Sequence, residues 1–172
     1  MATRIKKAGN NSGIDNIDDF HSIKVGIIQS QWNEIITDKL LNGAKKVLTE
    51  KGIPSDHIYV HQVPGAFELP LGAKFLLNHI KLDAVICLGC VIKGDTDHDK
   101  YINHAVANGI TQLGLLSNIP IIYGVLTPNN EVQALERAGG KEGNKGAEAA
   151  QTALKMILLK RNLHTEKKSI GY

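Results

Sequence analysis

The stretch that decides the fold is Ala84-Val-Ile-Cys-Leu-Gly-Cys-Val91, together with the polar loop Lys93-Gly-Asp-Thr-Asp-His98 that follows it. The first part is a near-continuous apolar run. Its length and its Val and Ile content suit a strand of a parallel sheet that is covered on both faces. The loop then hands over to Tyr101, Ile102, Ala105, Val106, Ile110 and Leu113, whose spacing predicts a helix. Strand, polar loop and helix in that order make one unit of an α/β fold.

Similar units lie on either side. Lys24-Val-Gly-Ile-Ile-Gln29, Ile58-Tyr-Val-His-Gln-Val63 and Ile119-Pro-Ile-Ile-Tyr-Gly-Val-Leu126 read as three further strands. Between the first two, Ile35, Ile36, Leu40, Ala44, Val47 and Leu48 form a helical stripe that Gly52 stops. Phe67, Leu71, Phe75 and Leu76 predict the next stripe. Pro128 is read as opening a helical segment to about Ala138. The glycine-rich turn GGKEGNKG then leads to a last helix carrying Ala147, Ala150, Leu154, Ile157 and Leu158. Strands alternating with helices give a three-layer α/β/α sandwich with right-handed crossovers. The chain divides into an arm at 1–22 without apolar period, one domain at 23–160, and a C-terminal tail at 161–172.

Charge narrows the function. The 172 residues carry a formal net charge of +3, and residues 1–22 and residues 23–159 each cancel. The excess comes from Lys160, Arg161, Lys167 and Lys168 against Glu166, in the expected frayed tail. A nucleic-acid partner would call for a basic patch on the folded surface, so none is expected. No apolar run approaches the ~20 residues of a spanning helix, and the N-terminus has no apolar segment of a secretory signal. A cytoplasmic enzyme or binding domain, with no membrane partner, is the expectation. Cys87 and Cys90 read C-x-x-C, but three residues of strand hold their Cα atoms ~10 Å apart on opposite faces, beyond the ~7 Å reach of a disulfide. Two free thiols, buried or half-buried, are expected.

In an open parallel sheet, ligands bind beyond the C-terminal ends of the strands. Those ends hold Trp32, the turn Pro64-Gly-Ala-Phe-Glu68 and the loop around Asp95, Thr96 and His98. The loop's backbone N–H groups can hold an anion, with the Thr96 hydroxyl added. The same residues also suit a plain helix cap. Arg137 and Lys145 are the candidate counter-charges. His98 titrates near neutral pH and can move protons, although a histidine at a polar helix start is also an ordinary surface residue. Trp32, Phe67 and Tyr123 suit a flat heterocycle or a core. Glu68, in the first turn of a helix, can bind hydroxyls. Other motifs fail: there is no G-x-G fingerprint, no complete phosphate loop in GGKEGNKG, no calcium loop in Asp95–Asp99, and no metal-ligand pair in His98 and His104.

Five blocks taken in order, SQWNEIITDKLLNGA, VPGAFELP, LGCVIKGDTDH, PIIYGVLT and ALERAGGKEGNKGAEAA, resemble the 6,7-dimethyl-8-ribityllumazine synthase family from about Lys24 to Leu159. The resemblance implies a flavodoxin-like sheet of order 2-1-3-4 and condensation of 5-amino-6-(D-ribitylamino)uracil with 3,4-dihydroxy-2-butanone 4-phosphate. It implies no cofactor and no metal. It also implies a homopentamer, some relatives building 60-subunit capsids, with riboflavin synthase as a partner. Trp32 then stacks on the pyrimidine. Ala66, Phe67 and Glu68 hold its ring and ribityl chain, and the backbone of Cys90, Val91 and Ile92 meets the pyrimidinedione. Asp95 and Thr96 bind phosphate, and His98 transfers protons. Tyr123, Arg137 and Lys145 come from the neighbouring subunit as second aromatic wall, phosphate ligand and pyrimidine-side lysine. Trp32 and Tyr123 stand where the family commonly has Phe, which bears on ligand preference. A flavin-binding protein or a shell protein of this fold without turnover are the alternatives.

Overall fold

A computed structural model describes residues 20–169. Four parallel strands form the main sheet: β1 (Val25–Ser30), β2 (Ile58–Val63), β3 (Ala84–Cys90) and β4 (Ile121–Leu126). Their order is β2-β1-β3-β4, as expected. Val25 lies opposite both Ile58 and Ala84, and Val85 lies opposite Ile121, so the strands start nearly in line. The crossovers carry α1 (Glu34–Glu50), α2 (Leu69–His79) and α3 (His98–Ser117). After β4 come α4 (Glu131–Arg137), a short hairpin of β5 (Ala138–Gly140) and β6 (Gly143–Asn144), and α5 (Lys145–Ser169).

The sheet separates two apolar cores. Ile27, Ile86 and Leu88 face Leu40, Leu48, Leu154 and Ile157 of α1 and α5. Ile28, Val85 and Cys87 face Leu69, Leu76, Val106 and Ile110 of α2 and α3. Alternation along each strand thus feeds both cores. Cys87 and Cys90 fall on opposite sides, buried and free. Burial pushes the Cys87 thiol up to about 12 and the Cys90 thiol to about 11. Gly52 ends α1 with φ 88°, the left-handed conformation that glycine takes without strain. Among the described residues no helix is long and apolar enough to cross a membrane.

Four expectations need correcting. The stripe Phe67, Leu71, Phe75 and Leu76 is not the buried face of its segment. Leu69, Ala73 and Leu76 are buried, while Phe67, Leu71 and Phe75 stand exposed. The segment is apolar on two sides, and the side with small Ala73 allows the closer approach to the sheet. Ile35 and Tyr101, read as core stripe members, are exposed for the same reason of excess apolar surface. The helix expected from Pro128 begins at Glu131, because Asn130 caps it, its Oδ1 accepting from the Gln133 N–H at 2.9 Å. Pro128 instead offers its carbonyl to the Lys93 N–H. Finally, the expected tail from 161 is helical to Ser169. No glycine or proline interrupts it, and Arg161 pairs with Asp83 at 3.7 Å. The net positive charge therefore sits largely on the end of α5. The expected arm, 1–22, lies outside the described residues except for Phe20–Ser22, where Phe20 packs on the core.

Candidate active site

At the C-terminal ends of β1, β2 and β3 the chain opens a cleft of about 960 Å³. Each wall follows from a local feature. Beyond β1, Gln31 and Trp32 donate backbone N–H groups to the Val63 and Pro64 carbonyls, at 2.9 and 3.2 Å. This pins the backbone of Trp32 and leaves its indole free, 71% exposed. Beyond β2, Ala66–Glu68 form a single 3₁₀ turn. The Glu68 carboxylate accepts from the Gly65 N–H at 3.0 Å and holds the turn closed, while Phe67 projects outward at 60% exposure. Beyond β3, Val91 and Lys93 donate N–H groups to Leu126 and Pro128 on the β4 side. Alternation along an extended chain turns the N–H of Ile92 the other way, towards the cleft.

The remaining wall is the start of α3. Thr96, His98, Asp99, Tyr101, Ile102 and Ala105 line it. The plain-cap reading of this loop holds only in part, through Thr96. Asp97 stands at the N-cap but its side chain makes no cap hydrogen bond; it pairs with Lys100 at 2.7 Å instead. The Thr96 hydroxyl accepts weakly from the His98 N–H at 3.4 Å. No carboxylate caps the first N–H groups of α3: that of His98 meets only the long Thr96 contact, and that of Lys100 goes to the Asp97 carbonyl at 3.0 Å.

Trp32, Ala66, Phe67, Glu68, Cys90, Val91, Ile92, Thr96 and His98 thus meet in one cleft. Asp95 is exposed on the loop beside it. Tyr123, Arg137 and Lys145 do not line it. Tyr123 lies in edge strand β4 opposite Cys87, half-buried, and burial raises its hydroxyl. Arg137 and Lys145 share a second hollow of about 420 Å³ with Thr127, Gln133, Glu136 and Glu142. Glu148 holds both cations there, 3.7 Å from the Arg137 guanidinium and 3.2 Å from the Lys145 ammonium. Sequence reading missed Glu148, although its i+3 spacing from Lys145 is the pattern of a helical ion pair. It also missed Asn33, next to Trp32, and Asp99, whose Oδ1 is shut from solvent without a hydrogen-bond partner among the described residues.

The family model described as 6,7-dimethyl-8-ribityllumazine synthase matches residues 22–161, which takes in the sheet, the cleft and the hollow. The chain belongs to this family. A 6,7-dimethyl-8-ribityllumazine synthase of Cytophaga hutchinsonii is 50% identical over 157 residues, covering 91% of this chain and 98% of that protein. Those of Parabacteroides distasonis and Porphyromonas gingivalis are 48% and 50% identical over 143 and 139 residues, covering 83% and 81% of this chain and 89% and 86% of theirs. At this identity the lumazine synthase likeness extends over the whole sandwich rather than a single motif.

Proposed function

We propose that the chain condenses 5-amino-6-(D-ribitylamino)uracil with 3,4-dihydroxy-2-butanone 4-phosphate to 6,7-dimethyl-8-ribityllumazine, in the cleft at the ends of β1, β2 and β3. It is a transferase of riboflavin biosynthesis. The observation that carries the siting is that one cleft unites an exposed indole, a free strand end, a carboxylate, a helix start and a histidine.

The roles follow from those positions. The pyrimidine stacks on Trp32, with Phe67 beside it. Its polar edge meets the backbone of Cys90, Val91 and Ile92, and Ala66, Phe67 and Glu68 hold the ring and the ribityl hydroxyls. The phosphate sits at the turn of Asp95 and Thr96, on the N–H groups of α3. The 5-amino nitrogen attacks the ketone, and loss of water gives an imine. A carbon-bound proton is then removed and the C–O bond to phosphate breaks, releasing phosphate. The enol takes up a proton to become a ketone. The ribitylamino nitrogen attacks that ketone, and a second water leaves as the ring closes. His98 is the group that takes and returns these protons, work typically worth ~10²–10⁴-fold. Holding the two substrates together supplies much of the rest.

Tyr123, Arg137 and Lys145 complete the site from another copy of the chain, as second aromatic wall, phosphate ligand and pyrimidine-side cation. Their separation from the cleft within one chain supports this reading. So does the apolar surface of Phe67, Leu71, Phe75, Leu115 and Leu116, which a lone subunit leaves in water. The assembly is a homopentamer, and the compact turn at Gly139–Gly146 favours its further association into a 60-subunit capsid. The enzyme works in the cytoplasm and passes its product to riboflavin synthase.

The test is to mix both substrates with the protein and follow lumazine fluorescence and phosphate together. The expected result is equal amounts of each, formed faster than without protein. A rate no greater than the spontaneous one would remove the reading.

A further inference from the structure

Asn33 starts α1 in an unusual way. Its backbone is left-handed, with φ 61° and ψ 43°, where an N-cap normally has extended backbone and accepts helix N–H groups with its side chain. Its carbonyl still accepts from Ile36 and Thr37, but its side chain makes no cap bond. The amide Nδ2 instead donates across the cleft floor to the Cys90 carbonyl, at 2.8 Å and 57 residues away in sequence. Asn33 therefore carries backbone strain and forgoes a cap, and both are traded for one contact in the cleft. Asn33 and Cys90 both line that cleft.

The position of this bond explains its use. The β1–β3 ladder last pairs Gln29 with Leu88. The Asn33 amide adds one more rung, at Cys90, after the β1 backbone has turned away towards Pro64. One of the two lone pairs of the Cys90 carbonyl is thus taken by the chain itself, and Ile92 is the next residue along that strand end to line the cleft. The same tether fixes the loop carrying Trp32, which is attached on its other side to Val63 and Pro64. We infer that Asn33 is a positioning residue, whose side chain sets the stacking face of Trp32 against the strand end that reads the pyrimidine edge. The inference rests on the proposed pyrimidine site and assigns Asn33 no part in proton transfer.

The test uses Asn33→Gly and Asn33→Asp in the full chain. Glycine accepts the left-handed backbone without strain but has no donor. Aspartate tolerates that backbone and keeps the size, but its carboxylate cannot donate to a carbonyl. Trp32 is the only tryptophan, so its anisotropy in the unliganded protein reports this loop alone. Both variants are expected to lower that anisotropy and to raise KM for the ribitylaminouracil by about five- to tenfold, the effect of one hydrogen bond. kcat should move by less than about threefold at saturation if binding alone is lost. Asn33→Gly should melt within about 4 °C of wild type. Wild-type anisotropy and KM in both variants would overturn the inference, and so would a large loss of melting temperature in both, which would make Asn33 a plain structural link. A wild-type protein that makes no lumazine would remove the functional reading, and anisotropy would still decide whether the tether exists.

Discussion

Single residues divide the chemistry into groups that must meet water and groups that must not. His98, the proposed proton-transfer group, is exposed at the start of α3. His98→Ala should lower kcat by ~10–10³-fold and change KM less, because stacking and phosphate contacts remain; steady-state kinetics on both substrates checks this. The cysteines are the opposite case. Burial raises the Cys87 thiol to about 12 and the Cys90 thiol to about 11, from a usual 9.0. Both thiols should resist alkylation at pH 8 in the folded protein and react on unfolding, since the thiolate is the nucleophile. The sign of the linked stability follows. The unfolded chain releases these protons near pH 9 and the folded chain only towards 11–12. Their stabilising effect is full below pH 9 and is lost as pH rises through that window. Chemical denaturation at stepped pH should show the decline, and Cys87→Ala should flatten it. The cysteine reading was available from the sequence, because strand alternation alone puts i and i+3 on opposite faces. The exceptional backbone of Asn33 was not, because Asn-Glu at a helix start looks like any N-cap.

At the level of elements, the helices α1 and α5 approach to backbone contact. Gly146 lies against the backbone of Leu40, and a Cβ there would overlap the Leu40 carbonyl. Gly146→Ala must push the helices apart. It should cost about 3 kcal/mol, the upper end of overpacking. Gly52→Ala meets no atom within 4 Å and is strained only by its φ of 88°, so about 1 kcal/mol is expected there. Urea unfolding of the two variants compares them directly. A Gly146 variant no less stable than the Gly52 variant would contradict this packing. The strands were readable from sequence, because near-continuous Val, Ile and Cys runs mark parallel strands wherever they fall. The inward faces of the helices were less so. Along α2 and the turn before it, Phe67, Leu71 and Phe75 repeat as regularly as Leu69, Ala73 and Leu76. Hydrophobic period identifies a helix but cannot rank two apolar faces, one of which a single chain leaves uncovered.

At the scale of the molecule, the two halves of the proposed site lie in separate places on the chain. Position beyond the strand ends made the cleft residues legible, since topology fixes where ligands bind. Nothing in composition or spacing links Tyr123, Arg137 and Lys145 to that cleft; only the family likeness does. The exposed ridge of Phe67, Leu71 and Phe75 should matter for assembly and little for the fold. Phe75→Ser is expected to shift the protein towards smaller species in sedimentation while leaving its far-ultraviolet circular dichroism unchanged. The central claim is that one active site is built by two copies of this chain, and mixing two inactive variants tests it most directly. His98→Ala spoils the cleft and Arg137→Ala spoils the hollow, and each alone should make little lumazine. Unfolded together and refolded as mixed oligomers, some interfaces would carry both intact residues. The expected result is recovery of lumazine formation to roughly a quarter of wild type, the random pairing of two equal populations at a site that works fully only when both residues are intact. No recovery, with mixed oligomers shown by mass, would place His98 and Arg137 in one subunit's site and contradict the account.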